Sequence, residues 1–198
     1  MKDIKHKEII SFFAGLLLGA LITFQFIPNF YNDHGIGGHS DEYHIHSDFL
    51  FYVNDEKIDL GIEELMTSAE QQLHSHVHLH DDNGEIVHMH KEEITFAEFL
   101  DSISITLTND CLTFNEQSYC SDEEEILELF VNYEPFNGPI TSYVPMDDDA
   151  ILLYYGANDQ ATIKNYLDEI KDDACYYSGT CPERGIAPPE SCGLTCEL

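Results

Sequence analysis

Alternating apolar and polar positions predict β-strands through the middle of this chain. One face of the first strand is mainly apolar and carries Ile45, Ser47, Phe49, Phe51 and Val53. The other face carries His44, His46, Asp48, Leu50 and Tyr52. The apolar face is the predicted core face. A turn at residues 54–56 then leads into a partner strand at residues 57–60, closing a first hairpin.

A second hairpin is predicted over residues 73–90, and its register decides which side chains share a face. A two-residue Asn-Gly loop pairs His78 with Met89 and separates the histidines onto both faces. A three-residue loop with a left-handed Gly84 pairs His78 with His88, because directly opposed residues share a face. We predict the second register, because it alone separates the histidines from the apolar residues Val77, Leu79, Val87 and Met89.

The remaining pattern predicts two helices and four more strands. Residues 95–98 form a capping box that opens a short helix ending near Ile103. Strands are predicted at residues 104–108, 111–114, 128–133 and 150–155, and a second helix at 159–171. This order predicts an α+β domain with one helix packed on a mostly antiparallel sheet, in a possibly β-grasp-like arrangement.

The N-terminal part of the chain predicts a membrane anchor. Residues 9–27 carry no charge and are long enough to cross a bilayer as a helix. Lys2, Lys5 and Lys7 precede them, which places residues 1–8 in the cytoplasm and the rest outside. A cleaved signal peptide is the alternative, but residues 22–27 offer no small-x-small cleavage site. We therefore predict a single-pass signal anchor.

The chain after the anchor divides into three predicted parts. Residues 28–42 are polar and glycine-rich and form a linker. Residues 43–158 form the extracytoplasmic α+β domain, and residues 159–198 form a helix and a cysteine-rich tail.

Charge excludes one class of partner. The net charge is −30, so the surface repels phosphate backbones and nucleic-acid binding is not expected. The same charge attracts divalent cations, although solubility or a salty habitat is the favoured explanation of it. The membrane is the one partner that the sequence predicts.

Six cysteines follow the anchor and are expected to form disulfides outside the cytoplasm. They are Cys111, Cys120, Cys175, Cys181, Cys192 and Cys196. Local spacing favours Cys111–Cys120 across a hairpin, with the other four pairing in the tail. No C-x-x-C occurs, which argues against a zinc ribbon and against a thioredoxin-type redox site.

Histidines carry the clearest chemical signal. Eight of the eleven lie in H-x-H tracts, whose spacing points the imidazoles to one side of a strand. An H-x-H strand with a neighbouring histidine supplies three nitrogens for Zn²⁺ or Cu²⁺. The predicted ligands are His44, His46, His76, His78, His80, His88 and His90. Asp48, Asp81 and Asp82 are predicted to orient the imidazoles or to ligate.

Other functions stay open at this point. Clustered imidazoles that protonate below about pH 6.5 would make a pH-responsive interaction module without metal. The histidines would alternatively just cover a polar sheet face. A metal-dependent hydrolase is a weaker alternative, because no substrate motif or catalytic residue is recognisable.

Four blocks of the chain resemble a family of small, N-terminally anchored exported proteins from archaea and poorly cultured bacteria. The blocks are HIHSDFLFYVN, HLHDDNGEIVHMH, DDAILLYYG and DDACYYSGTCPERG, within residues 43–198. The resemblance implies no established activity; thiol–disulfide names given to some relatives presuppose a C-x-x-C that is absent here. It implies a core histidine set of His44, His46, His78, His80, His88 and His90.

Overall fold

The computed structural model describes residues 43–190. The predictions for residues 1–8, 9–27 and 28–42, and for Cys192 and Cys196, lie outside the described residues. Within residues 43–190, no helix is long and apolar enough to cross a bilayer.

Ten strands form two sheets in this part of the chain. In chain order they are β1 (Ile45–Val53), β2 (Glu56–Lys57), β3 (Val77–His80), β4 (Asn83–Met89), β5 (Thr106–Leu107), β6 (Cys111–Phe114), β7 (Gln117–Cys120), β8 (Glu125–Val131), β9 (Glu134–Pro135) and β10 (Ala150–Ala157). The larger sheet has the order β3-β4-β1-β10-β8-β9, with β2 also pairing with β1, and the smaller sheet is β5-β6-β7. Among the described strand pairs, only β1 and β10 are parallel.

Three short α-helices accompany the sheets: α1 (Phe96–Ser102), α2 (Gln160–Leu167) and α3 (Ala174–Ser178). Single 3₁₀ turns occur at Glu63–Leu65, Ile140–Ser142 and Pro182–Arg184. The predicted capping box is confirmed, since Thr95 and Glu98 bond each other's backbone amides at the start of α1. The second predicted helix is shorter than expected and ends at Leu167. The α+β class with mostly antiparallel sheets is confirmed.

Other elements cover both faces of the larger sheet, whereas the prediction packed only one helix on it. Phe49 and Phe51 face the main core with Phe99 of α1. On the opposite face, Leu50 and Tyr52 are buried in a second core that includes Ile163 of α2. The face predicted to be more polar is therefore also an interior surface.

The turn of the second hairpin differs from the prediction. Within this turn, the residues with positive φ are Asp81 and Asp82, so a two-residue turn joins β3 to β4. Gly84 is not left-handed. His78 still pairs with His88, because an irregularity between His78 and His80 shifts the register. The predicted pairing is thus correct, but the predicted turn is wrong.

A disulfide joins Cys111 to Cys120 across the β6–β7 hairpin, which confirms that predicted pair. A second disulfide joins Cys175 to Cys181, next to α3.

We expect the Cys111→Ser/Cys120→Ser variant to lower the free energy of unfolding by about 2–3 kcal/mol. The sequence separation is 9, and opening a loop of this size restores that much chain entropy to the unfolded state. Urea unfolding measures the change. Ser118→Ala on the same hairpin is the control, since its exposed hydroxyl bonds only that of Thr113. Equal stability of the two variants would contradict the expectation.

Candidate metal centre

Three neighbouring strands, in the spatial order β3, β4, β1, carry His78, His88 and His46 on one face, and His76, His90 and His44 lie one residue beyond the ends of the same strands. His88 on β4 is directly opposite His78 on β3 and directly opposite His46 on β1. One step along, the ring of His90 stacks on that of His44 with centroids 4.3 Å apart. The backbone N–H of His90 donates to the carbonyl of His76 at 2.8 Å. Two rows of imidazoles therefore cross the sheet.

Three of these imidazoles meet a carboxylate from the C-terminal segment. His44, His46, His88 and Glu190, here called the His–Glu cluster, each offer a ligand atom, and these atoms lie within 4.8 Å of one another. Glu190 Oε1 lies 2.9 Å from Nε2 of His46 and 3.4 Å from Nδ1 of His88. Its Oε2 lies 3.2 Å from Nε2 of His44. One carboxylate thus touches all three rings.

Burial sets the charge state of the His–Glu cluster. The side chains of His46 and His88 are only 2% and 1% exposed, whereas that of His44 is 34% exposed. Burial lowers the pKa of His88 well below its usual range and also lowers that of His44. For Glu190, burial opposes ionisation, but hydrogen bonds from His46 and His88 outweigh it and hold the pKa well below the usual range. The neutral imidazoles of His44 and His88 beside an ionised carboxylate are suited to a cation.

The ring of His46 is oriented by residues outside the cluster. Its Nδ1 shares a 2.9 Å hydrogen bond with Ser178 Oγ, and Ser178 donates to Asp147 Oδ1. The backbone N–H of His46 also donates to Asp147 Oδ1, at 3.1 Å. Such partners fix the ring orientation of a metal-binding histidine and leave the other nitrogen facing the site.

Asp48 positions the helix that carries Ser178. Its carboxylate accepts the backbone N–H groups of Asp173 and Ala174, at 2.8 and 3.1 Å, at the start of α3. Burial raises the pKa of Asp48 to about 6, although the two amide hydrogen bonds oppose the shift. This predicted orienting residue therefore acts on the helix and not directly on an imidazole.

His80 and Asp81 lie beside the cluster, at one wall of a cavity. His80 Nδ1 is 2.9 Å from Asp81 Oδ2, and its Nε2 shares a 2.9 Å hydrogen bond with Nδ1 of His88. The cavity has a volume of about 320 Å³, and His88, Tyr177 and Glu190 also line it. It is large enough for a small ligand, so one side of the cluster faces space for water or a bound molecule.

Three other residues of the histidine hairpin are not members of the His–Glu cluster. His74 Nδ1 accepts the backbone N–H groups of His76 and Val77, both at 3.2 Å, so its ring supports the start of β3. Asp82 is exposed in the turn. His78 is buried beside His90, with ring centroids 5.0 Å apart.

Sequence reasoning missed the residues that the C-terminal segment contributes, namely Tyr177, Ser178 and Glu190. Neither strand periodicity nor H-x-H spacing reaches them, because they come from α3 and a segment without regular structure. The resemblance offered one signal, since its DDACYYSGTCPERG block contains Tyr177 and Ser178.

Chemically, the His–Glu cluster could hold a divalent cation of borderline softness and leave a position open to the cavity. Comparisons with known protein families, with curated proteins and with solved structures find no match to this chain.

Proposed function

We propose that this protein is a membrane-anchored extracytoplasmic protein that binds Zn²⁺ or Cu²⁺ through His44, His46, His88 and Glu190. The observation that carries the proposal is the convergence of three imidazoles and one carboxylate, whose ligand atoms lie within 4.8 Å of one another. Core packing does not require four such groups at one point.

The donor set supports the choice of metal. Imidazole nitrogens with one carboxylate oxygen suit Zn²⁺ and Cu²⁺, whereas Cu⁺ prefers sulfur. Met89 is buried in the main core, on the face of β4 opposite to His88, and so does not favour Cu⁺. The lowered pKa of His88 and of His44 favours metal binding over proton sensing, because a sensor needs imidazoles that titrate near pH 6.5.

The location is part of the same proposal. Residues 9–27 would anchor the chain, with the domain outside the cytoplasm. The disulfides Cys111–Cys120 and Cys175–Cys181 are compatible with an oxidising compartment. The net charge of −30 would raise the local concentration of divalent cations around the domain.

The strand order supports the finer description of the fold as β-grasp-like. The first and last long strands, β1 and β10, are parallel neighbours, each flanked by an antiparallel strand, with α1 between β4 and β8 along the chain.

We expect the full-length chain, freed of metal by a chelator, to bind at least one equivalent of Zn²⁺ tightly. Elemental analysis after dialysis and calorimetry measure this. Changing His44 and His46 together to alanine should remove at least one equivalent, because it deletes two of the four ligands.

The matched control changes His34 and His39 to alanine, which removes the same number of imidazoles from the predicted linker. It should keep the full zinc content. A wild-type chain without zinc, or equal zinc contents in the two double variants, would reject the proposed function.

A further inference from the structure

A second set of histidines lies beside the His–Glu cluster, towards the edge of the sheet. His78 lies on β3, His76 directly precedes that strand, and His90 directly follows β4, where its backbone N–H donates to the carbonyl of His76. His78 shares a face with His88, its directly opposed residue. Alternation along the strands places His76 and His90 on that face too. We call these three residues the edge histidines.

His78 is the residue whose surroundings indicate a bound ligand. It is 1% exposed, and within the described residues neither Nδ1 nor Nε2 has a hydrogen-bond partner. Leaving a buried polar group without a partner is unfavourable by about 1–3 kcal/mol. A leucine or phenylalanine would fill the same space without that penalty, so packing alone does not explain an imidazole here.

Three imidazole rings lie close to that of His78. The centroids of His90, His80 and His88 lie 5.0, 5.7 and 6.1 Å from its own. His80 is already engaged through both nitrogens, with Asp81 and His88. His90 is the nearest of these rings and faces His78 at an interplanar angle of 28°. A cation bound by His78 and His90 would give one orphaned nitrogen of His78 a partner.

We infer that His78 and His90 hold a second divalent cation, Zn²⁺ or Cu²⁺, next to the first, with His76 at its open end. An H-x-H strand and a histidine across the hairpin supply three nitrogens for such a site. His90 also stacks on His44, which is a member of the His–Glu cluster. Imidazole side chains therefore separate the two sites, and the histidine-bearing face of the sheet as a whole is a dinuclear centre.

Counting the bound metal tests the inference. The full-length chain should hold two equivalents of Zn²⁺ after chelator treatment, reloading and dialysis. His78→Phe should hold one, because it removes a nitrogen donor of the edge site while keeping a ring of similar size. The His44→Ala/His46→Ala variant should also hold one, because it removes two of the four ligands of the other site. With Cu²⁺, magnetic coupling between two ions should appear in the wild type and disappear in both variants.

The outcomes separate this inference from the proposed function. One equivalent in both the wild type and His78→Phe would overturn the second site and leave the first intact. Loss of both equivalents in a folded His78→Phe chain would also overturn it, since His78 would then belong to a single site. No zinc in the wild type would instead reject the proposed function. If His78→Phe does not fold, His90→Gln at the partly exposed position is expected to lose one equivalent, and retention of two would overturn the inference.

Discussion

Replacing His88 with phenylalanine is expected to lower the zinc affinity of the His–Glu cluster by more than about 100-fold. His88 lies at the centre of the row, opposite both His46 and His78, and its side chain is 1% exposed. Water cannot easily take the place of a ligand at such a buried position. Loss of an outer partner of a ligand already lowers affinity by about 10–100-fold, so loss of the ligand itself should exceed that range.

Competition with a chromogenic chelator measures the affinity of each variant. His44→Phe should show a smaller loss, because the side chain of His44 is 34% exposed and water can occupy its position. His74→Gln is the matched control within the same tract, since His74 bonds backbone amides. If His74→Gln weakens zinc binding as much as His88→Phe does, the proposed ligand set is wrong.

Replacing Gly84 with alanine is expected to destabilise the domain by about 1–3 kcal/mol. An added Cβ would lie against the backbone of Leu60 and Gly61, nearer than the 3.0 Å that real Cβ atoms keep. Backbone atoms cannot rotate away as a side-chain end can, so β4 or the Leu60–Gly61 segment has to move. Leu60 belongs to the main core, and the movement would open that core.

Gly138→Ala provides the comparison at another glycine. Its added Cβ would meet only the ring of Phe136, at 3.2 Å, and that side chain can shift. We expect a change below about 1 kcal/mol for this variant. Urea unfolding followed by circular dichroism measures both changes, and similar midpoints for the two variants would show that the close approach at Gly84 is not required.

Much of the histidine face followed from periodicity alone. Alternation placed His44 and His46 on one face of the first predicted strand, and the separation of polar from apolar residues selected the pairing of His78 with His88. This worked because a register slip by one residue would bury imidazoles in the main core and expose Val77 and Leu79. The turn itself was mispredicted, because Asp81 and Asp82 adopt the left-handed conformation that Gly84 was expected to adopt.

Contacts between residues far apart in the sequence could not be predicted from local patterns. Glu190 lies in a segment without periodicity, and no local rule brings it to His46. The second core is a similar case: Leu50 and Tyr52 share a face with His46, and only the docking of α2 shows that this face is interior at one end. Local patterns define faces, whereas the packing of distant segments decides what covers them.

Glu190 and His44 stand at opposite ends of the described chain, yet their side chains are 3.2 Å apart. A cation bound by both would be a reversible cross-link that closes nearly the whole domain into one loop. Closing a loop of that length by a permanent bond stabilises a fold by up to about 5 kcal/mol, and a metal bond would do so only while the metal is present. If the domain lies outside the cytoplasm, as proposed, its resistance to extracellular proteases would then depend on the supply of metal around the cell.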